Sequence, residues 1–370
     1  MLFRTFFIGV ASVCCAAQAW GDSVYGQTNL VSNIPGLAAH TDPNLVNPWG
    51  VSESSSSPLW ISDNGTGLTT LYNGAGTPQS LVVSIPIPGG GSSAPTGQVF
   101  NGTGKFNGDN FLFATENGTI AGWRGALGTT AETLYNNSGS GAVYKGVTLA
   151  TNAQGSYILA ADFHNNRVDV FPSSGAGALP GMFTDPTLPA GYAPFNVQNV
   201  NGQVFVTYAK QGTGADEVDG AGLGFVSVFD TNGNFVKRMA SNGSLNAPWG
   251  VTMAPANWGS FGGDLLVGNF GDGSINAYTT DGSFAGTLSG ADGNPLLNDG
   301  LWALTFGNGG NGGNLDSLYF TAGLNGESDG LFGRIDPTPE PGTFALLGLG
   351  VPALLAWRLS RKVRSTDRRQ

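Results

Sequence analysis

The sequence predicts an all-β fold, a six-bladed β-propeller whose last blade is closed by an N-terminal strand. Three observations lead there. A short phrase recurs along the chain. Brief apolar runs alternate with turns rich in Gly, Asn and Asp. The composition is turn-rich and charge-poor, with 60 Gly and only 11% charged residues, against a usual charged share of about 25%. Hydrophobic residues make up 40% of the chain, enough for a packed core rather than disorder.

The phrase is Asn47-Pro48-Trp49-Gly50-Val51, which returns as Ala247-Pro248-Trp249-Gly250-Val251. Weaker echoes are Pro95-Thr96-Gly97, Tyr144-Lys145-Gly146-Val147, Pro194-Phe195-Asn196-Val197 and Leu301-Trp302-Ala303-Leu304. The starts advance by roughly fifty residues, so six units fill the body, and a fixed period of this size is the signature of a repeat architecture. Within a unit, an apolar strand follows the phrase. A second ends in a polar turn, as in Leu59-Trp60-Ile61-Ser62-Asp63-Asn64 or Leu265-Leu266-Val267-Gly268-Asn269. A third, such as Phe225-Val226-Ser227-Val228-Phe229, leads through Asp-Asn-Gly-type turns to a fourth. Asn-Gly and Asp-Gly turns are hairpin chemistry, and four short strands per unit make a propeller blade. The period is too long for a β-helix coil and too regular for a sandwich.

The sixth unit runs out of strands near Ile335, while residues 24–31 offer an unclaimed strand at the other end of the chain. Pairing the two would complete the last blade and leave no open sheet edge, which is otherwise an aggregation hazard. The propeller is thus expected over residues 22–336.

Charge is distributed unevenly around a net of −10. The body is strongly acidic, and the positive residues cluster after Trp357. An acidic body is repelled by nucleic-acid phosphates, so no nucleic-acid partner is expected. Both cysteines, Cys14 and Cys15, fall in the first nineteen residues. Those residues read as a secretory leader. Arg4 supplies a positive start, an apolar stretch follows, and Ala17-Gln18-Ala19 gives the small-x-small pattern of a cleavage site after Ala19. Once the leader is removed, the body has no thiol chemistry and no disulfide.

Successive strands of an antiparallel blade run in opposite directions. The connections before strand one and those between strands two and three therefore share one face, and the distinctive polar residues concentrate there. The candidates for ligand contact are Asp63, Asn64, Glu116, Asp162 and Asn269, with Asp216, Glu217 and Asp219 on the longest insertion, residues 210–222. Long loops on a rigid scaffold commonly carry function. Hard cations bind clusters of carboxylate and carbonyl oxygens, so a Ca²⁺ site is compatible with this set, although no cofactor is required by it. Asp and Asn are equally the ordinary residues of turns on a solvated rim. Trp49, Trp249 and Trp302 read either as platforms for sugars at the channel mouth or as packing between blades. The chain has two histidines, His40 and His164, with no H-E-x-x-H, and its Gly-rich runs lack the Lys-Ser/Thr of a phosphate loop. No catalytic residue is assigned.

Two resemblances follow from specific residues. Ala161-Asp162-Phe163-His164-Asn165-Asn166-Arg167-Val168-Asp169-Val170-Phe171 resembles the central motif of an NHL-type propeller blade, which supports the architecture and carries no function. The carboxylate and amide set on the loop face is comparable to that of six-bladed lactonases. That similarity implies a second reading, a metal-dependent hydrolase at the channel mouth.

The C-terminal region begins with Pro339-Glu340-Pro341. An apolar run reaches Trp357, and Arg358, Arg361, Lys362, Arg364, Arg368 and Arg369 follow. As a helix, residues 343–359 approach the span of a bilayer, with the basic end held in the cytoplasm. Residues 337–370 resemble the PEP-CTERM sorting signal of Gram-negative bacteria. The resemblance implies an exosortase-type processing enzyme acting near the tripeptide, residence in the inner membrane before processing, and export to the cell surface or matrix, often alongside extracellular polysaccharide. With the propeller body, the chain looks like an uncharacterised family of tail-bearing propellers. The reading is an exported binding propeller whose ligand the sequence does not specify.

Overall fold

The structure is a computed structural model that describes residues 24–338. The leader at 1–19, with Ala17 and Ala19, and the sorting segment, with Pro339, Glu340, Pro341 and the span at 343–359, lie outside the described residues. Among the described residues, no helix is long and apolar enough to cross a membrane.

Six sheets stand around one axis. Blade one contains Pro48–Ser52, Leu59–Asp63, Leu68–Tyr72 and Val83–Ser84. Blade two contains Pro95–Phe100, Phe111–Thr115, Thr119–Trp123 and Glu132–Asn136. Blade three has three strands, Tyr144–Asn152, Gly155–Asp162 and Arg167–Pro172. Blade four comprises Tyr192–Val200, Gln203–Gln211, Phe225–Phe229 and Phe235–Ser241. Blade five comprises Pro248–Met253, Leu265–Asn269, Ile275–Tyr278 and Phe284–Thr287. Blade six joins Leu301–Phe306, Leu318–Ala322 and Leu331–Thr338 to the N-terminal strand Val24–Ser32.

The closing strand pairs antiparallel with Leu331–Thr338, from Val24 opposite Thr338 to Ser32 opposite Leu331, across one register shift. The two ends of the described ring are thus hydrogen-bonded to each other. Blade three departs from the four-strand expectation for a local reason. Beyond its third strand the chain carries Pro180, Pro186 and Pro189 with several glycines. Proline has no N–H to give a ladder. The segment instead inserts Phe183 between blades, where it packs at 5.8 Å from Phe229.

The glycine of the recurring phrase has a packing cause. A Cβ on Gly50 would stand 2.7 Å from Thr96 O of the next blade's inner strand. One on Gly97 would stand 2.5 Å from Val147 N, and one on Gly250 2.5 Å from Trp302 O. Inner strands approach so closely around the axis that a side chain has no room there.

The axis is plugged by aromatic rings. Trp49 stacks on Trp302 at 3.5 Å between centroids, and Trp249 meets both edge-on, at 6.2 and 5.8 Å. Phe270 stacks on Trp302 at 4.3 Å. All three tryptophans are buried, so they are the central core of the ring rather than an exposed sugar platform.

Candidate functional site

Thr96, Phe195, Trp249 and Trp302 stand at the position that Trp49 holds in the repeated phrase, which accounts for five blades. In blade three that position is Lys145. Its side chain is 3% exposed. Its ammonium lies 5.1 Å from the ring centroid of Trp49, a cation–π geometry. An aromatic plug therefore carries one fixed positive charge on its upper side, the face holding the turns that follow each second strand.

Those turns surround the charge. Glu116, just after Phe111–Thr115, accepts from Lys145 Nζ at Oε1, 2.7 Å away. Asn64, just after Leu59–Asp63, donates to the other oxygen of Glu116 at 3.0 Å. Asn47 donates to Asn64 Oδ1 at 3.4 Å and to Glu327 Oε2 at 2.7 Å. Two indoles root this network in the plug. Trp302 Nε1 donates to Asn47 Oδ1 at 3.1 Å, and Trp249 Nε1 to the carbonyl of Lys145 at 3.0 Å. Asn47 and Glu327 both hold left-handed backbone conformations, φ 46° and 66°, which L side chains adopt at a cost.

The insertion in blade four completes the site. Glu217–Val218 forms a short strand paired with Lys210 and Gln211. This hairpin brings Glu217 Oε2 to 3.9 Å and Asp216 Oδ1 to 3.7 Å from Lys145 Nζ. The Glu217 side chain is 7% exposed, whereas that of Asp216 is 83% exposed. Among the described residues, Glu217 Oε2 has no hydrogen-bond partner.

Electrostatics follow from this crowding. Burial pushes the Glu217 carboxyl up to about 7, with Lys145 opposing and Glu327 and Asp216 adding to the rise. Burial also raises Glu327, against the hydrogen bond from Asn47. Burial alone would lower Lys145, but Glu116, Glu217 and Asp216 outweigh it and hold the ammonium above its ordinary value. Its charge is permanent at any physiological pH. Such a cluster can hold a polar or charged group against the mouth, and Glu217 can exchange a proton near neutrality.

Of the sequence candidates, Asn64, Glu116, Asp216 and Glu217 come together here. Asp63, Asp162 and Asn269 do not line a channel ring, because the ends of second strands are buried within their blades. Asp162 Oδ1 accepts from the backbone N–H groups of Val143 and Asn165, both at 3.2 Å. Asn269 Oδ1 accepts from Asn246 N at 3.1 Å, and its amide donates to Ser244 O at 2.7 Å. Asp63 is fully buried, neither of its carboxylate oxygens has a hydrogen-bond partner among the described residues, and burial raises its pKa, with nearby Asp42 adding to the rise. Asp219 is exposed on the insertion, beside Gly271 rather than against Lys145. Among the described residues, no three His, Cys, Asp or Glu side chains are grouped as metal ligands.

Asn47 and Glu327 lie in the polar connections that the sequence assigns to the loop face, whereas Lys145 was not among the sequence candidates. The signal for Lys145 was available: it is a cation at a phrase position that is aromatic in four of the other five units.

Comparison with known proteins places the chain. Residues 337–362 match the PEP-CTERM protein-sorting motif. Uncharacterized protein R648 of Acanthamoeba polyphaga mimivirus is 33% identical over 324 residues, covering 83% of this chain and 78% of that protein. Uncharacterized protein L690 of the same virus is 32% identical over 323 residues, covering 83% and 84%. Among solved structures, a streptogramin B lyase is similar with a TM-score of 0.49 and 15% identity, over 87% of this chain and 100% of that one. This chain therefore belongs to the uncharacterised family that includes the two mimivirus proteins, here as a six-bladed propeller followed by a PEP-CTERM sorting motif.

Proposed function

We propose that the protein is an exported cell-surface or matrix propeller that binds its ligand at the mouth around Lys145. The observation that carries this reading is Lys145 itself. A buried ammonium at an otherwise mostly aromatic axial position gathers Asn64, Glu116, Asp216, Glu217 and, through Asn47, Glu327, from four blades. Buried charges are costly to assemble, and their concentration at one face is characteristic of a working surface.

The sorting motif supports export, with a Sec-type leader at 1–19, a membrane span at 343–359 and processing by an exosortase-type enzyme near Pro339-Glu340-Pro341. The strand directions add an orientation. Leu331–Thr338 runs away from the upper face, so the chain leaves the ring on the side opposite Lys145. The ligand expected at the mouth is extracellular polysaccharide or another matrix component. A Ca²⁺-dependent hydrolase would use the same carboxylates, but a fixed ammonium already occupies their centre, so the geometry favours binding.

The test is retention of the purified full-length chain on extracellular matrix from cells that express it. Wild type is expected to remain through washing, and Lys145→Met to be lost. Equal retention of a folded Lys145→Met variant would overturn the reading.

A further inference from the structure

The chemistry of the mouth narrows its ligand, given the binding reading above. Four carboxylates, Glu116, Asp216, Glu217 and Glu327, face one ammonium. When all are ionised the site holds a clear excess of negative charge. The excess is unevenly satisfied. Glu116 is saturated by Lys145 and Asn64, and Glu327 is held by Asn47. Glu217 Oε2 lies 3.9 Å from Lys145 Nζ on a side chain more than nine-tenths buried, and among the described residues nothing donates to it. Next to it Asp216 stands open to solvent. A buried acceptor without a donor costs free energy that a ligand donor recovers.

We infer that the mouth takes its ligand through a primary ammonium group, received by Glu217 and Asp216 beside the fixed ammonium of Lys145. An ammonium supplies three N–H donors and one positive charge, so it satisfies the orphan oxygen and reduces the excess charge together. A neutral hydroxyl supplies the donor but not the charge. An anion is repelled. A dication needs several oxygens converging on one point, which these side chains do not provide, and Lys145 repels a dication twice as strongly as a monocation.

The experiment is calorimetric titration of the full-length chain at low salt and about pH 8, above the raised value of Glu217. The probes are n-pentylammonium, n-pentanol and tetramethylammonium. The expected result is binding of n-pentylammonium, with n-pentanol silent and tetramethylammonium much weaker because it has no N–H. Glu217→Gln should weaken n-pentylammonium by at least about tenfold, equivalent to about 1.4 kcal/mol. Asp216→Asn, at an exposed site that leaves the fold intact, should weaken it several-fold. Trilysine and tetraglucosamine, each set against its N-acetylated form, then tell whether a peptide or a saccharide presents the group better. Equal binding of n-pentanol, no binding of n-pentylammonium, or binding unchanged in both variants overturns the inference. If Lys145→Met abolishes matrix retention while n-pentylammonium does not bind, the ligand class falls and the binding mouth stands.

Discussion

Glu217 Oε2 stands 3.9 Å from Lys145 Nζ, and no hydrogen-bond donor among the described residues reaches it. The pair joins an insertion of blade four to the inner strand of blade three, and much of the site's behaviour follows from it.

Lys145 balances several acids at once, so its removal should be costly. Lys145→Met leaves Glu116 and Glu217 without their cation, and breaking one side of a buried charge set typically costs about 3–5 kcal/mol. The denaturant midpoint of the variant should fall accordingly. Adding Glu116→Gln to Lys145→Met should recover part of the loss, because one uncompensated carboxylate is then neutral. A double variant no more stable than the single would show that Glu116 and Lys145 are not coupled.

Stability should also depend on pH through Glu217. Its carboxyl is raised from 4.5 to about 7 in the folded chain, so between those values the folded state holds a proton that the unfolded state has released. The contribution is complete below about 4.5 and is lost as pH rises to about 7. Glu53, pushed up by burial to about 7, acts in the same window and the same direction. Glu217→Gln should flatten the decline between these limits by up to about 3 kcal/mol. Urea titrations of wild type and variant at several pH values read it directly, and parallel curves would exclude the effect.

The aromatic plug should be the least tolerant part of the ring. Trp302 touches Trp49, Trp249, Phe195 and Phe270 at once. Trp302→Ala opens a cavity on the axis and frees the acceptor Asn47 Oδ1, and substitutions of this kind cost about 3–5 kcal/mol. Gly250→Val tests the strand spacing independently, since its Cβ meets the Trp302 carbonyl. Thermal unfolding should show both variants well below wild type.

Closure by the N-terminal strand predicts a long-range effect. Removing residues 24–32 exposes the backbone edge of Leu331–Thr338. Limited proteolysis should then cut first in blade six, far in sequence from the deletion. Unchanged protection there would mean that the strand is not needed to hold the ring shut.

Much of the fold was legible because it rests on local, repeated chemistry. Pro-Trp-Gly-Val marks an inner strand, and Asp162 at the end of a second strand caps the turn that follows it. Blade three lost its fourth strand to prolines whose effect is local, yet a period count passes over them. The site was harder to read. Asp63, Asp162 and Asn269 share a residue type with Glu116 and Glu217, but they sit at strand ends, where the turn consumes or buries the side chain. Glu116 lies one residue beyond its strand and escapes. Asn47 and Glu327 meet across 280 positions of sequence, a contact that only ring closure creates.

Hydrogen–deuterium exchange on the full-length chain, with and without soluble matrix extract, tests the binding mouth most directly. Slowed exchange is expected at residues 45–47, 64–67, 116–118, 144–146, 211–219 and 324–329, all on the Lys145 face. Protection confined to the opposite face, at residues 53–58, 201–202 and 254–264, would contradict it.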